Sequence, residues 1–449
     1  MENGRVLNRS LSLWHVVILG LAYMTPMVVF DTFGLVSEMT DGHVPMAYLI
    51  ALVAMLFTAS SYGKMVRAFP TAGSAYTYTQ KTMNKHLGFM VGWSALLDYL
   101  FLPMVNALLA GIYCSALFPD VPHWVWIIGT VLIMTTVNAM GVTISANFNS
   151  LLVTFQFLVM ICFVILIVRG LQLGEGTGEV FTLQPFFNPA TDLSAIVAGA
   201  TVLCFSFLGF DAVTTLTEET KEPRKTIPRG IFLVALIGGF LFISVSYFTQ
   251  SFFPDNTRFL DPEAAGPEIA LYVGGQFFQS VFMAGIFTGI LASGTSSHAS
   301  VSRLLFVMGR DNVLPSRWFG YIEPRRATPL FNILLVGVVA LSAIFLDLVT
   351  AISFINFGAL IAFSFVNLSV IAHYAYREKK HKTVKGFWSY VLSPFVGILC
   401  IGVLWINLEM SSLVLGLSWA AIGFCYLLYL TNFFSQQPPE FQLEEVREG

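Results

Sequence analysis

Apolar residues along this chain come in long blocks bounded by short polar stretches. They show neither the alternation of a half-buried strand nor a single apolar helical stripe. Twelve blocks can be counted, centred near Leu21, Met55, Tyr99, Val131, Met160, Leu203, Gly239, Phe282, Val336, Ala362, Gly397 and Ala420. A helix of about 20 apolar residues crosses the hydrocarbon core of a bilayer. In lipid, only helices and closed barrels satisfy their own backbone. The pattern therefore predicts an all-α integral membrane protein with twelve transmembrane helices. The connections are too short for a separate soluble domain, so residues 1–449 read as a single transmembrane domain.

Composition rules out an ordinary soluble protein. The chain is 56% hydrophobic and 11% charged, where a soluble chain carries about 25% charged residues. Charge placement then gives an orientation. With the N-terminus inside and the sides alternating, 21 of the 23 Lys and Arg residues fall on the inner face, and only Arg169 and Arg258 fall outside. This positive-inside bias predicts a multi-pass membrane protein with both termini cytoplasmic. It also favours an even number of spans. The outer connections hold twelve acids, Asp41, Asp120, Asp255 and Asp261 among them. They read either as a mouth that concentrates cations or as what remains once bases are excluded.

Two blocks are interrupted. The first contains MTPMVVFDTFG (Met24 to Gly34), and the sixth contains CFSFLGFDAVTT (Cys204 to Thr215). Each carries a Phe-Asp pair, at Asp31 and Asp211, in spans that run in opposite directions five spans apart. Broken helices at equivalent places in two halves are the sequence mark of an inverted-repeat transporter. The predicted division is repeat one at 12–171, repeat two at 193–376, two extra helices over 387–433 and a cytoplasmic tail at 434–449. Unwound backbone is tolerated at membrane depth only where it lines a cavity or meets a ligand, so helices 1 and 6 are expected to be broken at the substrate site.

Three acids fall inside apolar blocks: Asp31, Asp98 and Asp211. A carboxylate at mid-membrane costs about 2.5–3.5 kcal/mol on insertion scales, so it marks function by default. A structural role competes at each position. Asp31 could accept backbone hydrogen bonds or sit at a watery mouth, Asp98 could bond Ser94, and Asp211 could cap the inner half of its span. Cys114, Cys162, Cys204, Cys400 and Cys425 form no paired motif, and no His or Cys cluster has metal-ligand spacing. No cofactor, nucleotide site, nucleic-acid partner or enzyme active site is expected.

The stretches GFDAVTTLTEETKEPRKTIPRGI (Gly209 to Ile231), SYGKMVRAFPTAGSAYTYTQK (Ser61 to Lys81) and SRLLFVMGRDNVLP (Ser302 to Pro315) resemble, in order, three motifs of the amino acid–polyamine–organocation (APC) superfamily. FDTFGLVSEMTDGHVP, GFMVGWSALLDYLFLPMVNALLA and NFGALIAFSFVNLSV are similar to bacterial putrescine importers of that superfamily. The resemblance covers essentially the whole chain. It implies a LeuT-like five-plus-five fold with two added helices and proton-coupled import of a diamine across a bacterial cytoplasmic (inner) membrane. Amino acid permeases of the superfamily usually carry a Gly-Ser-Gly-type turn in helix 1, whose N–H groups hold a substrate carboxylate. MTPMVVFDTFG lacks that turn and adds Asp31, which suits a diamine. Gln156 takes the place of a lysine found on helix 5 of several relatives.

These readings together predict a secondary transporter importing putrescine or a similar amine, by proton symport. Its partners are a small cationic substrate, protons and the lipid bilayer. Asp98, Asp211 and Asp31 are expected to bind the substrate, with Tyr23 and Phe207 along its methylene chain. Proton coupling falls to Asp211 or Asp98, one gripping an ammonium while the other exchanges a proton. The sequence leaves open which does which. Two other readings stay open: an amino acid permease of the same fold, and a membrane sensor or subunit that transports nothing. Glu218 and Glu219 read as loop partners of Lys221, Arg224 or Lys225. Arg310 and Asp311 read as an inner-loop pair.

Overall fold

The computed structural model describes residues 11–438 apart from 71–73, 141–145, 188–191, 256–258, 260, 311–312 and 324–327. Among the described residues, ten long apolar helices and two shorter ones correspond to the twelve predicted spans. They are α1 (Leu13–Met39), α2 (Val44–Ala68), α3 (Lys85–Leu117), α4 (His123–Ala139), α5 (Leu151–Gln172), α6 (Leu193–Thr214), α7 (Pro223–Phe252), α8 (Pro262–Phe306), α9 (Leu330–Phe345), α10 (Leu348–Arg377), α11 (Val384–Ile406) and α12 (Met410–Leu430). Every apolar block read from the sequence falls inside one of them. Among the described residues there is no strand, only the isolated bridges Leu11–Thr220 and Glu323–Thr328.

One apolar cluster runs continuously from Val16 in α1 to Leu408 after α11. A second, smaller cluster joins Phe89, Leu96 and Leu100 of α3 to Val301 and Leu305 of α8, Val336 of α9 and Leu427 of α12. Burial grades sharply with position. The apolar windows of α3, α6 and α10 are 72% buried, whereas those of α11 and α12 are 22% and 17% buried, so the last two helices are exposed over most of their surface. They are fastened to the core at particular points. Trp93 of α3 and Trp419 of α12 stack with ring centroids 5.0 Å apart. Each indole donates to the other residue's carbonyl oxygen, Trp93 at 3.0 Å and Trp419 at 2.8 Å.

Several acids on the face opposite the basic one serve as helix caps. Asp192 accepts from Ser194 N at 2.9 Å at the start of α6. Asp261 accepts from Glu263 N at 3.0 Å at the start of α8. Asp347 accepts from Thr350 N at 2.9 Å and from the Thr350 hydroxyl at 2.7 Å at the start of α10. Free N–H groups at a helix start favour such acceptors. Partial burial works against the charge of Asp347, but the Thr350 hydrogen bonds prevail and hold its carboxyl below the usual range. Part of the acidity of this face is thus spent on beginning helices. On the basic face, Lys225 pairs with Glu222 at 2.9 Å. The side chains of Glu218 and Glu219, and the Arg310–Asp311 pair, lie outside the described residues.

Candidate functional site

Both interruptions expected from the sequence are present, and they touch. In α1 the first helical segment stops at Met24, Thr25 takes φ 56° and ψ 101°, and a 3-10 turn over Pro26–Val28 leads into Val29–Met39. Pro26 brings this about: it has no N–H to continue the ladder, and it drives the residue before it out of the helical region. In α6 the helix gives way to a 3-10 turn over Cys204–Phe207, and Leu208 is extended at ψ 135°. Gly209 follows at φ +107°. A β-carbon on Gly209 would lie 2.4 Å from Tyr23 Cδ1 and 3.2 Å from Met24 N. Glycine is therefore required here both for its backbone angle and for the close approach of the two broken helices.

Around this junction lies a cavity of about 30 Å³ between α1, α3, α6 and α8, lined by Tyr23, Thr25, Asp31, Asn106, Phe205 and Ser293 among others. That volume holds about one water molecule, so anything larger is admitted only when the helices part. Asp31 sits in the first turn of the second half of α1, where the helix dipole favours an anion. It is 6% exposed and accepts a hydrogen bond of 2.6 Å from the Tyr113 hydroxyl. Asn106 reaches across the cavity wall, donating to Leu102 O at 2.9 Å and to Ser293 Oγ at 3.3 Å.

Asp98 and Asp211 form a second centre. The two carboxylates are close enough to interact electrostatically, and Tyr23 lies in the field of both. Asp211 accepts a long hydrogen bond from the Tyr62 hydroxyl, at 3.4 Å. Its carboxylate also faces the backbone N–H groups of Asp211 itself, Gly209 and Ala212. Asp98 differs: it is only half-buried, and no hydrogen bond joins it to Ser94 or to any other described residue. Its backbone is fixed from behind, since a β-carbon on Gly358 of α10 would lie 2.9 Å from both Asp98 N and Ser94 O. Tyr78 and Tyr99 also lie within electrostatic reach of Asp211, so hydroxyl-bearing rings surround the pair.

The sequence-derived set thus divides. Tyr23 and Asp31 line the cavity, and Asp98 and Asp211 adjoin it through Tyr23. Phe207 stands apart: it is fully buried, with its ring 5.6 Å from Phe242 and 6.4 Å from Tyr48. Gln156 is 2% exposed and lies beside Gly289 and Thr25 at the α1 break. Its Oε1 has no hydrogen-bond partner among the described residues. Tyr62, Tyr113, Asn106 and Ser293 escaped sequence reasoning. Their only signal was a polar group inside an apolar block, a property that many other residues share.

The Tyr113 bond gives a test of its own. A hydrogen bond contributes about 0.5–1.5 kcal/mol, rising to about 1.5–3 kcal/mol when the acceptor is charged. Tyr113→Phe is expected to lower the thermal stability of the detergent-solubilised protein by an amount in that range. An unchanged unfolding temperature would mean that Asp31 does not depend on this donor.

A family model described as amino acid permease matches residues 15–434. The chain is 52% identical over 436 residues to the low-affinity putrescine importer PlaP of Escherichia coli K12, covering 97% of this chain and 96% of that protein. It is 28% identical over 459 residues to the methylthioribose transporter of Bacillus subtilis, covering 95% of each. It is 28% identical over 361 residues to the vacuolar cationic amino acid transporter 4 of Arabidopsis thaliana, covering 76% of this chain and 59% of that protein.

Proposed function

The chain belongs to the amino acid permease family, and on that footing we propose that it imports putrescine or a similar small amine across a bacterial cytoplasmic membrane together with protons. The basic face, with both termini, is then the cytoplasmic one. Similarity to a named putrescine importer across nearly the full length of both proteins supports this reading. The observation that carries it is the Asp98 carboxylate, half-buried inside a helix bundle with no described hydrogen-bond partner, within electrostatic reach of Asp211 and Tyr23. A buried charge without a partner is costly. A site of this kind is relieved by a cation that arrives and leaves.

In the proposed binding mode one ammonium sits between Asp98 and Asp211, and the methylene chain passes Tyr23 and Phe205. The second ammonium reaches toward Asp31. Ring faces suit both the apolar chain and the charged ends. Coupling follows from one chemical opposition: burial favours the neutral carboxyl, and a bound cation favours the ionised form. In symport both are carried at once: one acid of the pair stays ionised against the bound ammonium while the other, kept neutral by burial, holds the proton, and both cargoes leave on the cytoplasmic side. The second reading, import of a cationic amino acid, is favoured by the Arabidopsis relative and by the backbone freed at the α1 break. Asp31 opposes it, because a substrate carboxylate at the break would meet a like charge.

The test is uptake of labelled putrescine into liposomes holding the purified protein, with an inward proton gradient. Uptake is expected to rise with the gradient and to be blocked by unlabelled diamines but not by amino acids. Transport of an amino acid without transport of putrescine would overturn the diamine reading. Uptake indifferent to the gradient would overturn symport.

A further inference from the structure

The basic face of the molecule carries a groove of about 380 Å³ between α2 and α7. Its floor is Gly63 against Pro228, where a β-carbon on the glycine would lie 3.2 Å from the proline ring. Lys64, Arg67 and Arg229 line it together with Phe232 and Leu233, and no acid is among the lining residues. Lys64 is fixed at its edge, donating to Ser389 O at 2.6 Å and to Ser393 Oγ at 3.3 Å. That leaves the third ammonium N–H free for the groove. Arg67 and Arg229 are exposed and form no ion pair with any described residue. Glu222, an acid within electrostatic reach of Arg229, is already paired with Lys225.

An apolar track leads out of this basic pocket toward the middle of the membrane. Phe232, Leu236 and Phe240 follow Arg229 at steps of three, then four, residues, so they lie on one face of α7. They are 40%, 38% and 71% exposed. On α2 the matching outward face carries Val53 and Leu49, also exposed. A bias toward basic loops accounts for cations on this face. It does not account for three of them converging on a groove that continues as an exposed apolar track. The geometry points to a binding site for an anionic phospholipid of the adjoining leaflet. Its phosphate would be held by Arg67, Arg229 and Lys64, and an acyl chain would lie along Phe232, Leu236 and Phe240. Guanidinium groups bind phosphate with two parallel N–H bonds each, and a basic residue near a bilayer surface adds to the attraction for anionic lipid.

The site can be tested by native mass spectrometry of the full-length protein released from micelles containing equal amounts of phosphatidylglycerol and phosphatidylcholine. The wild-type protein is expected to retain phosphatidylglycerol preferentially. R67A/R229A is expected to reduce that preference about tenfold or more, with R67K/R229K keeping most of it. Unfolding temperature is followed on the same samples. Should R67A/R229A fail to fold, F240S supplies the second test: it leaves the charges in place and is expected to weaken retention of long-chain over short-chain phosphatidylglycerol. Three results would overturn the site: equal retention of both lipids by the wild type, an unchanged preference in a folded R67A/R229A protein, or displacement of the lipid by inorganic phosphate.

Discussion

Asp98→Asn is expected to abolish high-affinity putrescine uptake while leaving the protein folded and inserted. The change keeps the side chain's shape and removes its charge. It breaks no hydrogen bond, because Asp98 makes none with the described residues. An ammonium about 4 Å from a carboxylate gains roughly 4 kcal/mol at an effective dielectric of 20. Losing it would weaken binding by as much as about a thousandfold. Asp211→Asn provides the contrast, since it also disturbs the Tyr62 contact. Measuring gradient-driven uptake beside putrescine exchange at equal pH would divide the two roles. The acid that carries the proton is the one whose loss spares exchange and removes gradient dependence; the acid that grips the amine is the one whose loss removes both. Wild-type kinetics in Asp98→Asn would sink the proposed site.

The second large effect is expected at Gly209. Alanine there must adopt φ near +107°, which costs roughly 1–2 kcal/mol for an L-residue. It must also place a methyl group 2.4 Å from the Tyr23 ring, and overpacking of this kind costs about 1–3 kcal/mol more. The two broken helices would have to separate to admit it. Gly209→Ala is therefore expected to cut transport by more than about tenfold, with the protein still present in the membrane. A binding measurement would show whether Tyr23 has been displaced from the acid pair. Unaltered uptake would show that the junction of the two breaks is not part of the transport cycle.

The spans and their breaks were legible because they depend on local properties. Hydrocarbon thickness sets the block length, and Pro26 and Gly209 impose backbone angles on their immediate neighbours. The three membrane acids stood out for the same reason, each being a single charge in an apolar run. Their partners did not. Tyr62 and Tyr113 lie 149 and 82 residues from the acids they meet, and nothing near either tyrosine in the chain marks that pairing. The division of the acids into a cavity wall at Asp31 and a pair at Asp98 and Asp211 is likewise a product of helix packing. Phe207 shows the opposite case. Its place at the α6 break suggested a substrate wall, but its ring is turned into the packing against Tyr48 and Phe242.

The tryptophan clasp between α3 and α12 bears on how the machine divides into fixed and moving parts. Trp93 is five residues before Asp98, on the same helix, and two reciprocal hydrogen bonds with a stacked ring pair fasten it to Trp419. A rigid-body tilt of α3 would have to carry α12 with it through the lipid. The helix bearing Asp98 thus has the character of a stator, anchored by a strut on the rim of the bundle. Asp211 instead lies two residues after Gly209, at the break in α6, where the helical ladder that would hold it rigid is interrupted. Alternating access would then consist of one carboxylate moving toward and away from another that is held still.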